Sequence, residues 1–104
     1  MGINAPLAYA LNSNTISTAA EDIDNAGWGW GANDVAQAEK AVISCHTNGI
    51  VFSYDGTTPT ASLGILLAAG ERYTVVGNAN ILNISMIRSG GSDALVCVQL
   101  EKHS

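Results

Sequence analysis

Residues 49–71 read GIVFSYDGTTPTASLGILLAAGE, and this stretch decides the fold. Over residues 50–54, every second side chain is large and apolar, which is the two-residue period of a β-strand. The Asp-Gly pair that follows is typical of a turn with left-handed backbone angles. Pro59 has no N–H for a sheet, so it keeps the connection out of any central strand. Residues 63–67 repeat the alternation, and the stretch therefore predicts two strands joined by a polar loop.

Other short apolar runs on either side of this stretch show strand-like patterns. The further predicted strands cover residues 15–19, 41–46, 72–76, 81–88 and 94–100. An Asn-Gly pair at 48–49 predicts a hairpin turn between residues 41–46 and 50–54. Residues 94–100 are apolar at nearly every position, which favours a central strand. About six to eight short strands without a long helical period indicate an all-β fold, either an antiparallel β-sandwich or a jelly-roll-like arrangement.

The chain has 104 residues, which is enough for one domain with a single core. Residues 15–104 are predicted to form this domain, and residues 1–14 to form an N-terminal arm or irregular lead-in. The arm contains no charged residue, so we expect it to lie on the body of the protein or on a neighbouring molecule. Its candidate interface residues are Ile3, Leu7, Tyr9 and Leu11.

Charged residues make up only 12% of the chain, about half the share that is typical of soluble domains. A surface so poor in charge favours association, so we expect a protein partner and a homo-oligomer. The four Lys and Arg residues and the net charge of −5 argue against the clustered basic surface that nucleic-acid binding requires. Nucleic acid is therefore not an expected partner.

Nothing in the sequence predicts export or a membrane anchor. The first twenty residues hold no basic residue and no continuous apolar run, so no signal peptide is expected. No apolar run approaches the roughly 20 residues that span a bilayer. Cys45 and Cys97 lie in apolar strand-like runs, which favours free thiols that behave as small hydrophobic side chains. A disulfide is the alternative if their two strands pair.

The few residues that suggest chemistry do not form a known catalytic or metal-binding pattern. Cys45 and His46 are adjacent, but neighbouring side chains of a strand point to opposite faces, so we predict no enzyme. Glu21, Asp22 and Asp24 form an acidic patch, which is either a solvated loop or a set of calcium ligands. The patch lacks the spacing of an EF-hand loop, and we expect neither a metal nor another cofactor.

Trp28 and Trp30 stand in the unusual stretch GWGWG. In an extended segment they would project to the same side. Three interpretations remain open: they close one end of the core, they anchor a protein interface, where Trp is over-represented, or they stack on a sugar.

The deciding stretch also resembles a pattern in small virion proteins of tailed bacteriophages. The matching segments are YDGTTPTA at residues 54–61 and the Leu-Gly, Leu and Ala-Gly-Glu positions within residues 63–71. In that family a strand ends in a D-G-T-x-P-T-A loop, and a hairpin follows. The resemblance covers residues 40–100 and rests on turn residues, while the tryptophan segment lies outside it. It implies a β-sandwich or jelly-roll-like structural protein of the virion.

From this resemblance we expect a non-enzymatic capsid decoration or cement protein that stabilises the head. Its expected partners are the major capsid protein or other virion proteins, and its expected assembly is a trimer, which matches the three-fold positions of a capsid. A head-tail or tail component belongs to the same class. The rival interpretation is a carbohydrate-binding β-sandwich that uses Trp28 and Trp30.

Overall fold

The computed structural model describes residues 6–103, which form two stacked four-stranded antiparallel sheets. The strands are β1 (Pro6–Ile16), β2 (Glu21–Asp22), β3 (Lys40–Cys45), β4 (Ile50–Ser53), β5 (Ile65–Leu67), β6 (Arg72–Val76), β7 (Ser85–Arg88) and β8 (Ala94–His103). The helices are a one-turn α1 (Asn78–Ile81) and two 3-10 turns, Ala26–Trp28 and Val35–Gln37. None of the helices in the described range is long and apolar enough to cross a membrane.

The order of the strands is that of a jelly roll. β1 pairs with β8, β2 with β7, β3 with β6 and β4 with β5, as though residues 6–103 were one long hairpin. Two further pairings, β3 with β8 and β4 with β7, roll this hairpin into the sheets β1-β8-β3-β6 and β2-β7-β4-β5. Eight strands in two such sheets make a jelly roll. The prediction of an antiparallel β-sandwich or jelly-roll-like fold is confirmed.

The core lies between the inner faces of the two sheets, where the sequence pattern placed it. In β3, Ala41, Ile43 and Cys45 are buried, whereas the residues between them are half-buried. β8 is central in its sheet, between β1 and β3, as its apolar run predicted. From the second sheet, Phe52 and Met86 are fully buried against these residues. Alternation with a period of two therefore reports correctly which face of each strand is buried.

The Asn-Gly turn occurs where it was predicted, but it does not make a hairpin. Asn48 and Gly49 adopt positive φ angles of 68° and 81°, and the turn joins β3 to β4, which belong to different sheets. β3 is already bonded to β8 on one side and β6 on the other, so it has no free edge for β4. The turn is instead attached to the end of β7, where the Ser89 N–H donates to the Gly49 carbonyl at 3.1 Å.

The strand predicted over residues 81–88 is wrong in its first half. Residues 78–81 form α1, and only residues 85–88 form β7. The Asn78 side chain holds α1 against the 3-10 turn near residue 35, since its Nδ2 donates to the Val35 and Ala38 carbonyls at 3.0 and 2.8 Å. Ile81 and Ile84 are both buried, so apolar residues of a helical turn imitated the pattern of a strand.

Residues 1–14 were expected to form an N-terminal arm or irregular lead-in, and the described part of this segment, residues 6–14, belongs to β1. This strand pairs with β8 along its full length, from Pro6 opposite His103 to Ile16 opposite Ala94. The backbone makes this ladder, so the weak side-chain pattern of residues 12–14 did not reveal it. The predicted strand at 15–19 survives only as the last two residues of β1.

The two cysteines lie on opposite faces of the first sheet. Cys45 is opposite Val96 and points into the core, whereas Cys97 is opposite Ser44 and is half-buried on the outer face. Both thiols are free, which confirms the prediction. Although β3 and β8 do pair, the two side chains project away from each other, and the alternative of a disulfide is wrong.

Candidate interaction surface

A two-sheet sandwich has four edge strands, and here they are β1 and β6 in one sheet and β2 and β5 in the other. Proteins protect such edges from other strands by making them short or by placing charges on them. β2 has two residues, both acidic, β5 has three residues, and β6 has five residues and begins with an arginine. β1 has eleven residues and none is charged. Among the edge strands of residues 6–103, only β1 is neither short nor charged.

The hydrogen bonds of β8 show which backbone groups of β1 point outwards. The Leu95 carbonyl accepts from the His46 N–H at 2.8 Å and the Leu95 N–H donates to Thr47 Oγ1 at 3.0 Å, so Leu95 faces β3. Successive residues of a strand face opposite ways. The β8 residues that bond to β1 are therefore the even-numbered ones, and from residue 10 onwards these lie opposite even-numbered residues of β1. The N–H and C=O groups of the odd-numbered Leu11 and Ser13 thus point to the open edge.

Internal hydrogen bonds close this edge at its C-terminal end. The Thr15 N–H is satisfied by Asn14 Oδ1 at 2.9 Å. The Asn14 Nδ2 in turn donates to Glu21 Oε2 at 3.2 Å, which ties β1 to β2. The free edge thus stops before Thr15.

At the other end, Tyr9 is the extra residue of a bulge between Ala8 and Ala10. Its hydroxyl donates to the Asp34 carbonyl, and Lys102 Nζ lies 4.7 Å from the centre of its ring. Burial, together with the nearby negative charge of Asp34, raises the pKa of Tyr9. Tyr9 therefore contacts the body of the protein, which was one of the two expected places for this segment, and its role in an interface stays a prediction.

The other candidate residues of the expected arm differ in their exposure. Leu7 and Leu11 are 50% and 64% exposed on or beside the free edge. Ile3 lies outside the described residues. An interface role for Leu7 and Leu11 stays a prediction that their exposure permits.

The outer face of the β1 sheet is open and has an uncharged centre. Leu11 is opposite Gln99, Gln99 is opposite Val42, and Val42 is opposite Thr74, so these four residues form one row from the β1 edge to the β6 edge. Both end residues of the row, Leu11 and Thr74, are exposed. This face continues the uncharged surface of β1 across the sheet.

The outer face of the other sheet is covered by the chain itself. Val51 points outwards from β4 but is only 3% exposed, because the loop between β4 and β5 folds over it. Pro59 is buried in this loop, and Gly64 lies so close that a Cβ there would be 2.6 Å from Val51 Cγ1. The Asp-Gly-Thr-rich loop that carries the resemblance thus covers the sheet.

The two tryptophans stack at the β2 side of the sandwich, with ring centres 6.1 Å apart and planes 16° apart. Trp28 is 2% exposed and its Nε1 donates to the Asp22 carbonyl at 3.1 Å. Trp30 donates to the Ile23 carbonyl at 2.9 Å and is half-buried. Trp28 closes the core, which was the first of the three interpretations. Its side chain has almost no exposed surface that a partner could contact in this structure.

Trp30 lines a cleft of about 480 Å³ together with Asp24, Asn25 and Leu82. The cleft places an aromatic side chain beside exposed carboxylate and amide groups. Only one of the two tryptophans therefore reaches a surface where a small molecule could lie.

The residues considered for chemistry do not come together. Cys45 points into the core, its Sγ donates to the Thr47 carbonyl at 3.5 Å, and burial raises the pKa of its thiol. His46 is exposed. Within residues 6–103, no three or more His, Cys, Asp or Glu side chains are placed to hold a metal ion.

Comparison with protein-family models, with curated proteins and with solved structures finds no match to this chain. What the protein does must therefore be inferred from its own surface and from the resemblance of its turn residues.

Proposed function

We propose that this protein is a non-enzymatic structural protein of a tailed-phage virion, and specifically a decoration or cement protein of the capsid. The observation that carries the proposal is the long, uncharged edge β1, which adjoins an open sheet face with an uncharged centre. Such an edge is a hazard in a protein that works alone. It is useful in a protein whose work is to bind other copies or other chains.

Two further observations support the virion assignment. The jelly roll is a common fold of viral capsid proteins, although lectins and cupins also use it, so the fold alone does not decide function. The turn residues of the β4–β5 loop resemble those of small phage virion proteins. The jelly-roll fold is compatible with a virion protein and with a carbohydrate-binding protein.

In this role, many copies on a regular capsid lattice would each make a modest contact, and the sum of these contacts would stabilise the head. The partners would be the major capsid protein or other virion proteins. The resemblance favours three copies around a three-fold position. A component of the head-tail junction or the tail would work by the same kind of contact.

Protein analysis of purified particles tests this proposal. The gene is expressed with its neighbouring reading frames, the particles are purified, and the chain is quantified relative to the major capsid protein. We expect a fixed stoichiometry of many copies per particle, and particles that lack the chain should lose their DNA at lower temperature. Particles of normal composition that never contain the chain would contradict the virion role.

The Trp30 cleft favours a second candidate, a carbohydrate-binding module. Its aromatic wall could stack on a sugar ring while Asp24 and Asn25 bind hydroxyl groups. A glycan array followed by titration of the tryptophan fluorescence tests it, with Trp30→Ala as the variant that must abolish the signal. Binding that survives this substitution, or no binding to any glycan, would remove this candidate.

A further inference from the structure

We propose that two copies of this chain pair through β1, antiparallel to one another about a two-fold axis at Asn12. The pairing would join two four-stranded sheets into one continuous sheet of eight strands. This inference goes beyond the proposed function, because free chains would pair whether or not they belong to a virion.

The directions of the backbone groups set the register. Leu11 and Ser13 point their N–H and C=O groups to the open edge, while Asn12 between them is bonded to β8. In antiparallel sheets, opposed residues that exchange two hydrogen bonds alternate with opposed residues that exchange none. An axis at Asn12 places Leu11 of each copy opposite Ser13 of the other. Both residues then satisfy all their free backbone groups.

The lack of charge on β1 makes a second copy a suitable partner. Like charges that lie directly opposite each other destabilise paired strands. A charged strand therefore meets repulsion from its own copy in many registers, whereas β1, from Pro6 to Ile16, contains no charge.

The charges around β1 favour the antiparallel direction. At its C-terminal end, Asn14 contacts Glu21, next to the acidic Asp22. At its N-terminal end, Leu7 is opposite Lys102, which adjoins Glu101. Antiparallel pairing places the two acidic ends at opposite ends of the joint and lays each beside the N-terminal end of the other copy, where Lys102 offsets the charge of Glu101. Parallel pairing would set the two acidic ends side by side.

The other edge strands do not offer this surface. The Val76 carbonyl at the outer edge of β6 already accepts a hydrogen bond from Asn80 Nδ2 at 2.9 Å. β2 has two residues, both acidic, and β5 has three residues. Among the edge strands in the described range, β1 is thus the one that combines free backbone groups, at Leu11 and Ser13, with a lack of charge.

Sedimentation velocity tests the proposal with two matched substitutions, Leu11→Lys and Thr74→Lys. Both residues are exposed ends of one row on the same face, so each substitution adds one positive charge in an equivalent setting at opposite edges. A lysine on an edge strand opposes pairing. We expect the unaltered chain and Thr74→Lys to be dimers, and Leu11→Lys to raise the dissociation constant at least about tenfold.

Several outcomes would overturn the pairing. A chain that stays monomeric at all concentrations has no self-pairing edge, and a trimer would instead support the arrangement that the resemblance implies. Equal weakening by both substitutions would indicate that the sheet faces stack. If the chain is absent from virions but forms dimers that only Leu11→Lys weakens, the proposed function fails and this pairing stands.

Disulfide trapping keeps the proposal testable if Leu11→Lys does not fold. At an axis through residue 12, the two copies of Asn12 are an opposed pair without hydrogen bonds, about 4.5 Å apart at Cα, which is within the range of a disulfide. In a Cys97→Ser background, Asn12→Cys should give a covalent dimer on mild oxidation, and Thr74→Cys should not. Failure of Asn12→Cys to cross-link, or equal cross-linking by both variants, would contradict the register.

Discussion

The two edges of the β1-β8-β3-β6 sheet have the same backbone chemistry but opposite side-chain character. β1 runs for eleven uncharged residues and leaves Leu11 and Ser13 open at its outer side. β6 runs for five residues, begins with Arg72, and has its Val76 carbonyl occupied by Asn80. One edge is short and carries a charge, and the other is long and uncharged. The difference indicates that charge and length, rather than the sheet itself, decide where this protein can accept another strand.

The sides of the sandwich below these edges are also closed differently. On the β1 side, Trp28 and Trp30 stack on each other and donate to backbone carbonyls. On the β6 side, the hydroxyl groups of Tyr54 and Tyr73 lie 3.0 Å apart and join the two sheets. Both sides contain aromatic contacts, since the Tyr73 ring also packs edge-on against Phe52 with ring centres 5.2 Å apart. The β6 side adds a polar contact between side chains of the two sheets.

Removing Trp28 should have the largest effect of the substitutions that test this comparison. Trp28→Ala deletes a fully buried ring, so it should lower the free energy of unfolding by about 3–5 kcal/mol. Trp30→Ala should cost less, because that ring is half-buried. Urea unfolding of both variants measures the difference. If the Trp28→Ala protein has normal stability but no longer assembles, Trp28 is an interface residue and its assignment to the core is wrong.

Gly64→Ala should be the next most damaging change, on the side of the sandwich opposite the tryptophans. A Cβ at Gly64 would lie 2.6 Å from Val51 Cγ1 and 2.9 Å from the Phe52 carbonyl, at a φ of 137°. Overpacking of this kind costs about 1–3 kcal/mol, in addition to the cost of the positive φ.

Gly70→Ala is the matched control for this change, since Gly70 also has a positive φ of 88° but no atom within 4 Å of the new Cβ. Its loss of stability in the same urea assay should be the smaller one. Equal losses would mean that the loop does not press on Val51.

The Tyr54–Tyr73 contact should give a small effect that depends on pH. The hydrogen bond between the Tyr73 and Tyr54 hydroxyl groups, followed by burial, raises the pKa of Tyr73 above its ordinary value. The protonated hydroxyl is thus favoured in the folded state, so its stabilising effect is complete below the unfolded pKa of about 10. It is lost as the pH rises through the pKa of the folded state.

Tyr73→Phe should remove this part of the decline in stability at high pH, as measured by urea unfolding at a series of pH values. Tyr54→Phe removes the same hydrogen bond and should behave alike. If the stability of Tyr73→Phe declines at high pH as much as that of the unaltered chain, the contact between Tyr54 and Tyr73 does not stabilise the two sheets against each other.

The sequence allowed the fold class to be predicted, because alternating residues in β3, β4 and β8 mark the buried faces. The pairing of β1 with β8 could not be predicted, because backbone groups make it and residues 12–14 are polar. α1 was missed because Ile81 and Ile84 occupy buried positions in a helical turn as they would in a strand.

The interaction surface was predictable only in part. The lack of charge near the N-terminus was visible in the sequence and indicated association. That this segment is an edge strand, and that β6 is the protected edge opposite it, depends on the order of the strands. Tyr9 was a candidate interface residue, and the choice for Trp28 between core, interface and sugar stacking stayed open, because sequence does not distinguish an exposed aromatic residue from a buried one.

Amide hydrogen exchange at the two edges tests the central claim most directly. Cys45 N–H donates to the Glu71 carbonyl at 3.0 Å, so by alternation the Thr74 N–H points outwards from β6, as the N–H groups of Leu11 and Ser13 do from β1. In dilute solution all three amides should exchange fast, while Asn12, which is bonded to β8, should stay protected.

At high concentration we predict that Leu11 and Ser13 become protected while Thr74 continues to exchange fast. Fast exchange of Leu11 and Ser13 at every concentration, or equal protection of Thr74, would contradict the claim that β1 is the edge through which this protein associates.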